Sequence, residues 1–136
     1  MPKIYLEKNV LDAAFERLEI IFQNFDAIYF SVSAGKDSSV MVQLANMVAK
    51  KYNKKFDVLY IDLEAQYKHT IDHVYELKGL SQIDTFYHIA LPLALRNAVS
   101  VLQPKWICWE EESKDLWVRD LSLIHISEPT RLDVIS

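Results

Sequence analysis

Three short runs rich in β-branched and aromatic residues constrain the fold most: residues 27–33, 56–63 and 84–91. Between them lie segments with the three-and-four apolar spacing of amphipathic helices. Strands that alternate with helices at this interval imply βαβ units with right-handed crossovers and a parallel sheet. The expected class is therefore α/β, with a three-stranded parallel sheet of order 3-2-1 and flanking helices. The middle run, Phe56 to Leu63, is apolar enough to suit a sheet covered on both faces.

The helical expectations follow from spacing and end signals. Leu11, Ala14, Phe15, Leu18, Ile21, Phe22 and Phe25 define a helix over 9–25, with Asn9 as its cap and Asp12 in its first turn. A second helix begins near Ser38, carries Val40, Met41, Leu44, Met47 and Val48 on one face, and ends at Lys50 and Lys51. A third runs from Thr70, as N-cap, to Leu80, with Gly79 where a left-handed C-terminal residue is wanted. Pro92 stops the third strand. A short helix is expected over Leu93–Leu102, broken by Gln103-Pro104-Lys105. Trp106, Trp109 and Trp117 follow around Glu110-Glu111-Glu112. They read either as a peripheral helix packing its indoles on the sheet edge, or as a lid or protein-partner surface.

Size and charge narrow the function. A chain of 136 residues supports one core. Its net charge of −4 argues against nucleic acid or an anionic membrane as the main partner. Lys50, Lys51, Lys54 and Lys55 are then read as a solvated basic helix end, not an RNA contact. No apolar run is long enough to span a bilayer and the N-terminus lacks a secretion signal, so the expected location is cytoplasmic. The single Cys108 forms no internal disulfide and is read as packing or partly exposed, not as a nucleophile. His69 and His73 have metal-pair spacing without a third ligand, and are read as part of a solvated helix face.

Only two glycines occur, Gly35 and Gly79, and the first sits in the segment with most chemistry. Ser31-Val32-Ser33-Ala34-Gly35-Lys36-Asp37-Ser38-Ser39 joins the first strand to its helix, where open α/β sheets bind ligands. Gly35 permits close backbone approach, the helix start offers unsatisfied N–H groups, Lys36 supplies a charge, and Ser33, Ser38 and Ser39 supply hydroxyls. This set suits a phosphate chain. It is neither a Walker loop nor a Gly-x-Gly-x-x-Gly fingerprint.

The loop resembles the pyrophosphate loop (PP-loop) of the adenine-nucleotide alpha-hydrolase superfamily, Ser-Gly-Gly-Lys-Asp-Ser, with a departure only at Ala34. The small subunit of bacterial ATP sulfurylase also has a non-glycine residue there. Asp62, Tyr67 and Thr70 stand in the order seen in the sulfonucleotide-reductase branch. Asp62-Leu63-Glu64-Ala65-Gln66-Tyr67, Trp109-Glu110 and Lys114-Asp115-Leu116-Trp117-Val118-Arg119 resemble the phosphoadenosine-phosphosulfate-reductase-like proteins that include the immunoglobulin-binding-regulator type.

The resemblance spans residues 10 to 120 and implies a Rossmann-like PP-loop domain over 1–120, truncated at its C-terminus; residues 121–131 share no pattern with the family, so 121–136 is expected to be a non-native or disordered tail. It implies that ATP or phosphoadenosine phosphosulfate is the ligand. Adenine would touch main chain near Val32 and Leu63, and phosphates would lie on Ser33, Ala34, Gly35, Lys36, Asp37, Ser38 and Ser39. Asp37 and Asp62 would hold or orient Mg2+, and Lys36, Asp37 and Asp62 would serve cleavage between the α- and β-phosphates. The reductase members instead use a sulfonucleotide and a C-terminal cysteine. A nucleotide-sensing module that works through a protein partner on the Trp106–Trp117 surface is the alternative, and an exposed edge on the first strand is expected.

Overall fold

The computed structural model describes residues 7–97 and 100–120. The elements in order are α1 (Val10–Asn24), β1 (Tyr29–Val32), α2 (Lys36–Tyr52), β2 (Phe56–Asp62), α3 (Lys68–Lys78), β3 (Ile83–Ala90), β4 (Leu93–Arg96) and β5 (Lys105–Cys108). A 3-10 helix over Glu111–Leu116 follows. Strands β1, β2 and β3 form a parallel sheet with β2 in the centre, in the expected order. Val32 pairs with Tyr60, and Tyr60 with His88, so the carboxyl ends of all three strands lie along one edge of the sheet.

The core sits on one face. Phe30, Val32, Phe56, Val58 and Tyr60 alternate inward and meet Leu18 and Phe22 of α1, Val42, Ala45, Val48 and Ala49 of α2, and Ile71, Val74 and Leu77 of α3. Phe22, Phe30 and Phe56 pack tilted or edge-to-face with centroids 5.3–6.4 Å apart. The opposite face is open, with Leu59 half-buried and Tyr29, Ile61 and Tyr87 exposed. A sheet covered on both faces is therefore not what the described residues form. Two crossovers of the same hand, stepping the same way across the sheet, put α2 and α3 on one side. Strand β1 pairs only with β2 among the described residues, as an edge.

Several local expectations are corrected. Helix α2 starts at Lys36 rather than Ser38, because Gly35 adopts the extended conformation of an N-cap (φ −76°, ψ 167°). Helix α3 starts at Lys68 with Tyr67 at the N-cap, and Thr70 lies inside its first turn, donating its N–H to the Tyr67 carbonyl. Gly79 is right-handed (φ −77°), not left-handed. The helix expected over 93–102 is not formed by its described residues: Leu93–Arg96 is strand β4, which pairs antiparallel with β5, Leu93 opposite Cys108, and Val101 and Leu102 lie in a bend. The tryptophan segment is a strand and a 3-10 turn, not a helix. Expectations for 121–136 fall outside the described residues.

The basic helix end is neutralised locally. Lys51, Lys54 and Lys55 reach Glu19, Asp26 and Asp84 at 2.6, 3.1 and 3.3 Å. Such exposed pairs add little stability, yet they leave no concentrated positive patch for a polyanion.

Candidate functional site

The loop after β1 turns on one strained residue. Ala34 takes a left-handed backbone (φ 59°), the conformation that a glycine in its place would adopt at least cost. That turn sets the Gly35 carbonyl as a hub: it accepts the Ser38 hydroxyl at 3.1 Å, the Ser39 hydroxyl at 2.8 Å and the Ser39 N–H at 3.0 Å. The Ser33 N–H donates to Ser38 Oγ at 3.3 Å, and the two serine hydroxyls lie 3.3 Å apart. A Cβ on Gly35 would stand 3.3 Å from Ser33 Oγ, so the loop is packed tightly around a residue without a side chain.

Within this frame the amides of Lys36, Asp37 and Ser38 open α2 and have no carbonyl acceptor in the helix before them. Lys36 and Asp37 are almost fully exposed and 3.9 Å apart, a pairing too loose to hold either in place. Three free amides, the positive end of a 17-residue helix and a mobile ammonium group thus converge on solvent beside the sheet's carboxyl edge.

A second cluster occupies the end of β2. Asp62 is fully buried. Its Oδ2 accepts from His88 Nε2 at 2.7 Å, and its Oδ1 accepts the Glu64 N–H at 2.9 Å and the Arg119 guanidinium. Burial alone would raise its pKa, but the His88 and Arg119 hydrogen bonds and the Arg119 charge outweigh it and hold the carboxyl below the usual range. Glu64, left-handed at φ 64°, accepts the Trp109 N–H at 2.6 Å and the Val118 N–H at 3.3 Å. The Trp109 indole donates to the Asp62 carbonyl at 2.7 Å, packs edge-on to Trp117 at 5.2 Å and lies 5.0 Å under the Arg119 guanidinium. The tryptophans therefore cap the end of β2.

Beside them is a cleft of about 360 Å3 whose lining includes Glu64, Lys105, Trp106, Glu110 and Trp117. Next to Asp62, burial foremost pushes the Tyr60 phenol up to about 12.

Of the residues singled out by sequence, Ser33 to Ser39 come together as one loop, and Val32 and Leu63 lie at the ends of adjacent strands. Asp37 and Asp62 differ in setting: one is exposed, the other enclosed with both oxygens engaged. Asp62 thus does not fit a Mg2+ ligand, and no group of three or more metal-binding side chains exists among the described residues. Asp37 fits a magnesium ion brought by a nucleotide, which needs only one or two carboxylates.

Cys108 is buried, its thiol pushed up chiefly by burial and donating to the Leu91 carbonyl, as a packing residue should be. His73 is corrected. Its Nε2 sits 2.8 Å from Ser39 Oγ, so it belongs to the loop's surroundings, not to a purely solvated face. Sequence reasoning also passed over Glu64, His88 and Arg119. A histidine inside an apolar strand and two acids at a strand end were the available signals.

The phosphoadenosine phosphosulfate reductase domain family matches residues 27–104, from the start of β1 to the turn before β5. The chain belongs to this family. The reductase-domain match contains the loop and the end of β2, while Trp109 and Arg119 lie past its limit. The protein described as "Uncharacterized protein YbdN", from Escherichia coli (strain K12), is 40% identical over 129 residues, covering 93% of this chain and 31% of that protein. The chain spans about a third of the length of this relative. No solved structure matches.

Proposed function

We propose that the chain is the adenine-nucleotide-binding part of a phosphoadenosine-phosphosulfate-reductase-like protein of the immunoglobulin-binding-regulator type, acting in the cytoplasm as part of a longer polypeptide. The observation that carries this is the cradle after β1: unbonded amides of Lys36 to Ser38 and an unrestrained Lys36, in a family-matched segment. The ligand is ATP or phosphoadenosine phosphosulfate. Its phosphates lie on Ser33 to Ser39, and adenine lies against the main chain of Val32 and Leu63. Charge-assisted bonds of about 1.5–3 kcal/mol each, four or five in number, support micromolar binding once association entropy is subtracted.

Each residue then has a distinct task. Lys36 offsets charge that builds between the α- and β-phosphates. Asp37 holds Mg2+, which would shield the phosphate oxygens. Asp62 acts from behind, fixing Arg119 and the Trp109 cap at the nucleotide end of the sheet.

In the longer protein the ATP form of the reaction is attack of an acceptor oxygen on the α-phosphorus with pyrophosphate leaving. The sulfonucleotide form needs a reactive cysteine, a role that buried Cys108 does not suit. Isothermal titration with ATP and with phosphoadenosine phosphosulfate, on wild type and Lys36→Ala, tests the loop. Heats that are equal for the two proteins reject it.

A second reading, a nucleotide sensor without turnover, draws on the cleft walled by Trp106 and Trp117, which offers a protein partner two indoles next to the nucleotide end. Saturating ATP bound with no pyrophosphate released by the longer protein favours it over the enzyme.

A further inference from the structure

Behind the phosphate loop stands a side chain that the loop's own sequence does not announce. His73, on α3, lies with Nε2 2.8 Å from Ser39 Oγ and Nδ1 3.1 Å from Glu76 Oε2. Ser39 is buried, and its hydroxyl donates to the Gly35 carbonyl at 2.8 Å. A serine has one hydroxyl hydrogen, so with that hydrogen on Gly35 the Ser39 oxygen accepts from His73 Nε2–H. Nδ1, on the other side of the ring, faces the Glu76 carboxylate, which orients the imidazole.

Resting on the nucleotide reading above, we infer that His73 is a positioning residue for phosphate recognition: through Ser39 it pins the Gly35 carbonyl, the hub that aims the Lys36 to Ser38 amides outward. The link joins α3 to the loop across 34 residues of sequence, by a contact separate from the loop's own serine bonds. Without it, Ser39 keeps its hydroxyl bond but loses the donor that fixes its rotamer, and the hub loosens. The consequence falls on the phosphate part of binding, because adenine is held elsewhere, on the main chain of Val32 and Leu63.

The test compares ATP with adenosine on wild type, His73→Ala and His73→Gln, with folding checked by circular dichroism. ATP affinity is expected to fall about tenfold in His73→Ala, with adenosine affinity unchanged. His73→Gln, whose side-chain amide can still donate to Ser39 Oγ, is expected to recover part of the loss. ATP and adenosine weakening together, or ATP binding unchanged in His73→Ala, overturns the inference while leaving the loop reading intact. Failure of wild type to bind either ATP or phosphoadenosine phosphosulfate instead removes the loop reading, and this inference with it.

Discussion

Replacing Asp62 by Asn separates the clamp at the end of β2 from every other part of the fold. The wild-type carboxylate is fully buried and receives His88, Arg119 and the Glu64 amide. Asparagine keeps one acceptor oxygen, turns an N–H2 toward one of these donors and removes the charge that balances Arg119. Removing one member of a buried pair costs about 3–5 kcal/mol. The Arg119 side chain is 22% exposed and can turn into water, which places the expected loss near the lower bound, about 3 kcal/mol. For a chain of this size that lowers the melting temperature by about 12 °C.

Urea unfolding followed by tryptophan fluorescence measures it, because the Trp109 indole donates to the Asp62 carbonyl. The pH dependence supplies a second check. A carboxyl held below its usual range when folded contributes fully above its unfolded value, roughly pH 3.9, and loses that contribution as pH falls through the folded value. The stability gap between wild type and Asp62→Asn is therefore constant near neutrality and narrows below about pH 4. A loss under about 1 kcal/mol at pH 7, or a gap that does not narrow in acid, refutes the clamp.

Three further outcomes follow from the same structure. Ala34→Gly relieves a left-handed alanine that costs about 1–2 kcal/mol, less the roughly 0.5–1 kcal/mol by which glycine favours the unfolded chain. A net gain of about 0.5–1 kcal/mol in chemical denaturation is expected, and Ala34→Val is expected to destabilise. Glu64→Gln weakens the acceptor for Trp109 and Val118, so amide exchange at those two residues should accelerate with β2 protection unchanged. Cys108, buried and with its thiol pushed up, should react with an aromatic disulfide reagent only at the rate of opening, and at once in denaturant.

The sheet and the loop were legible because their signals are local. Apolar runs of strand length, Asn9 before the first helix and the Ser33 to Ser38 pattern each report on residues close in sequence, and the structure places these elements within a few residues of expectation. The region from Leu93 to Arg119 was not legible. Its shape depends on acceptors at Glu64 and Asp62, 45 and 57 residues upstream of the donors at Trp109 and Arg119. Tryptophans at helical spacing carry no sign of those partners. His73 was misjudged for the same reason: its partner Ser39 lies on another helix, and histidines four residues apart on a polar face look alike whether or not one is engaged.

The long reach of the Glu64 and Asp62 bonds also dictates an order of assembly. Closing a chain segment of about fifty residues costs about 3–4 kcal/mol of entropy, and the two acids become properly spaced acceptors only once β2 has zipped against β3. Residues 105–119 are accordingly expected to form last and to open locally before the sheet does, with amide exchange faster at Trp109 than in β2.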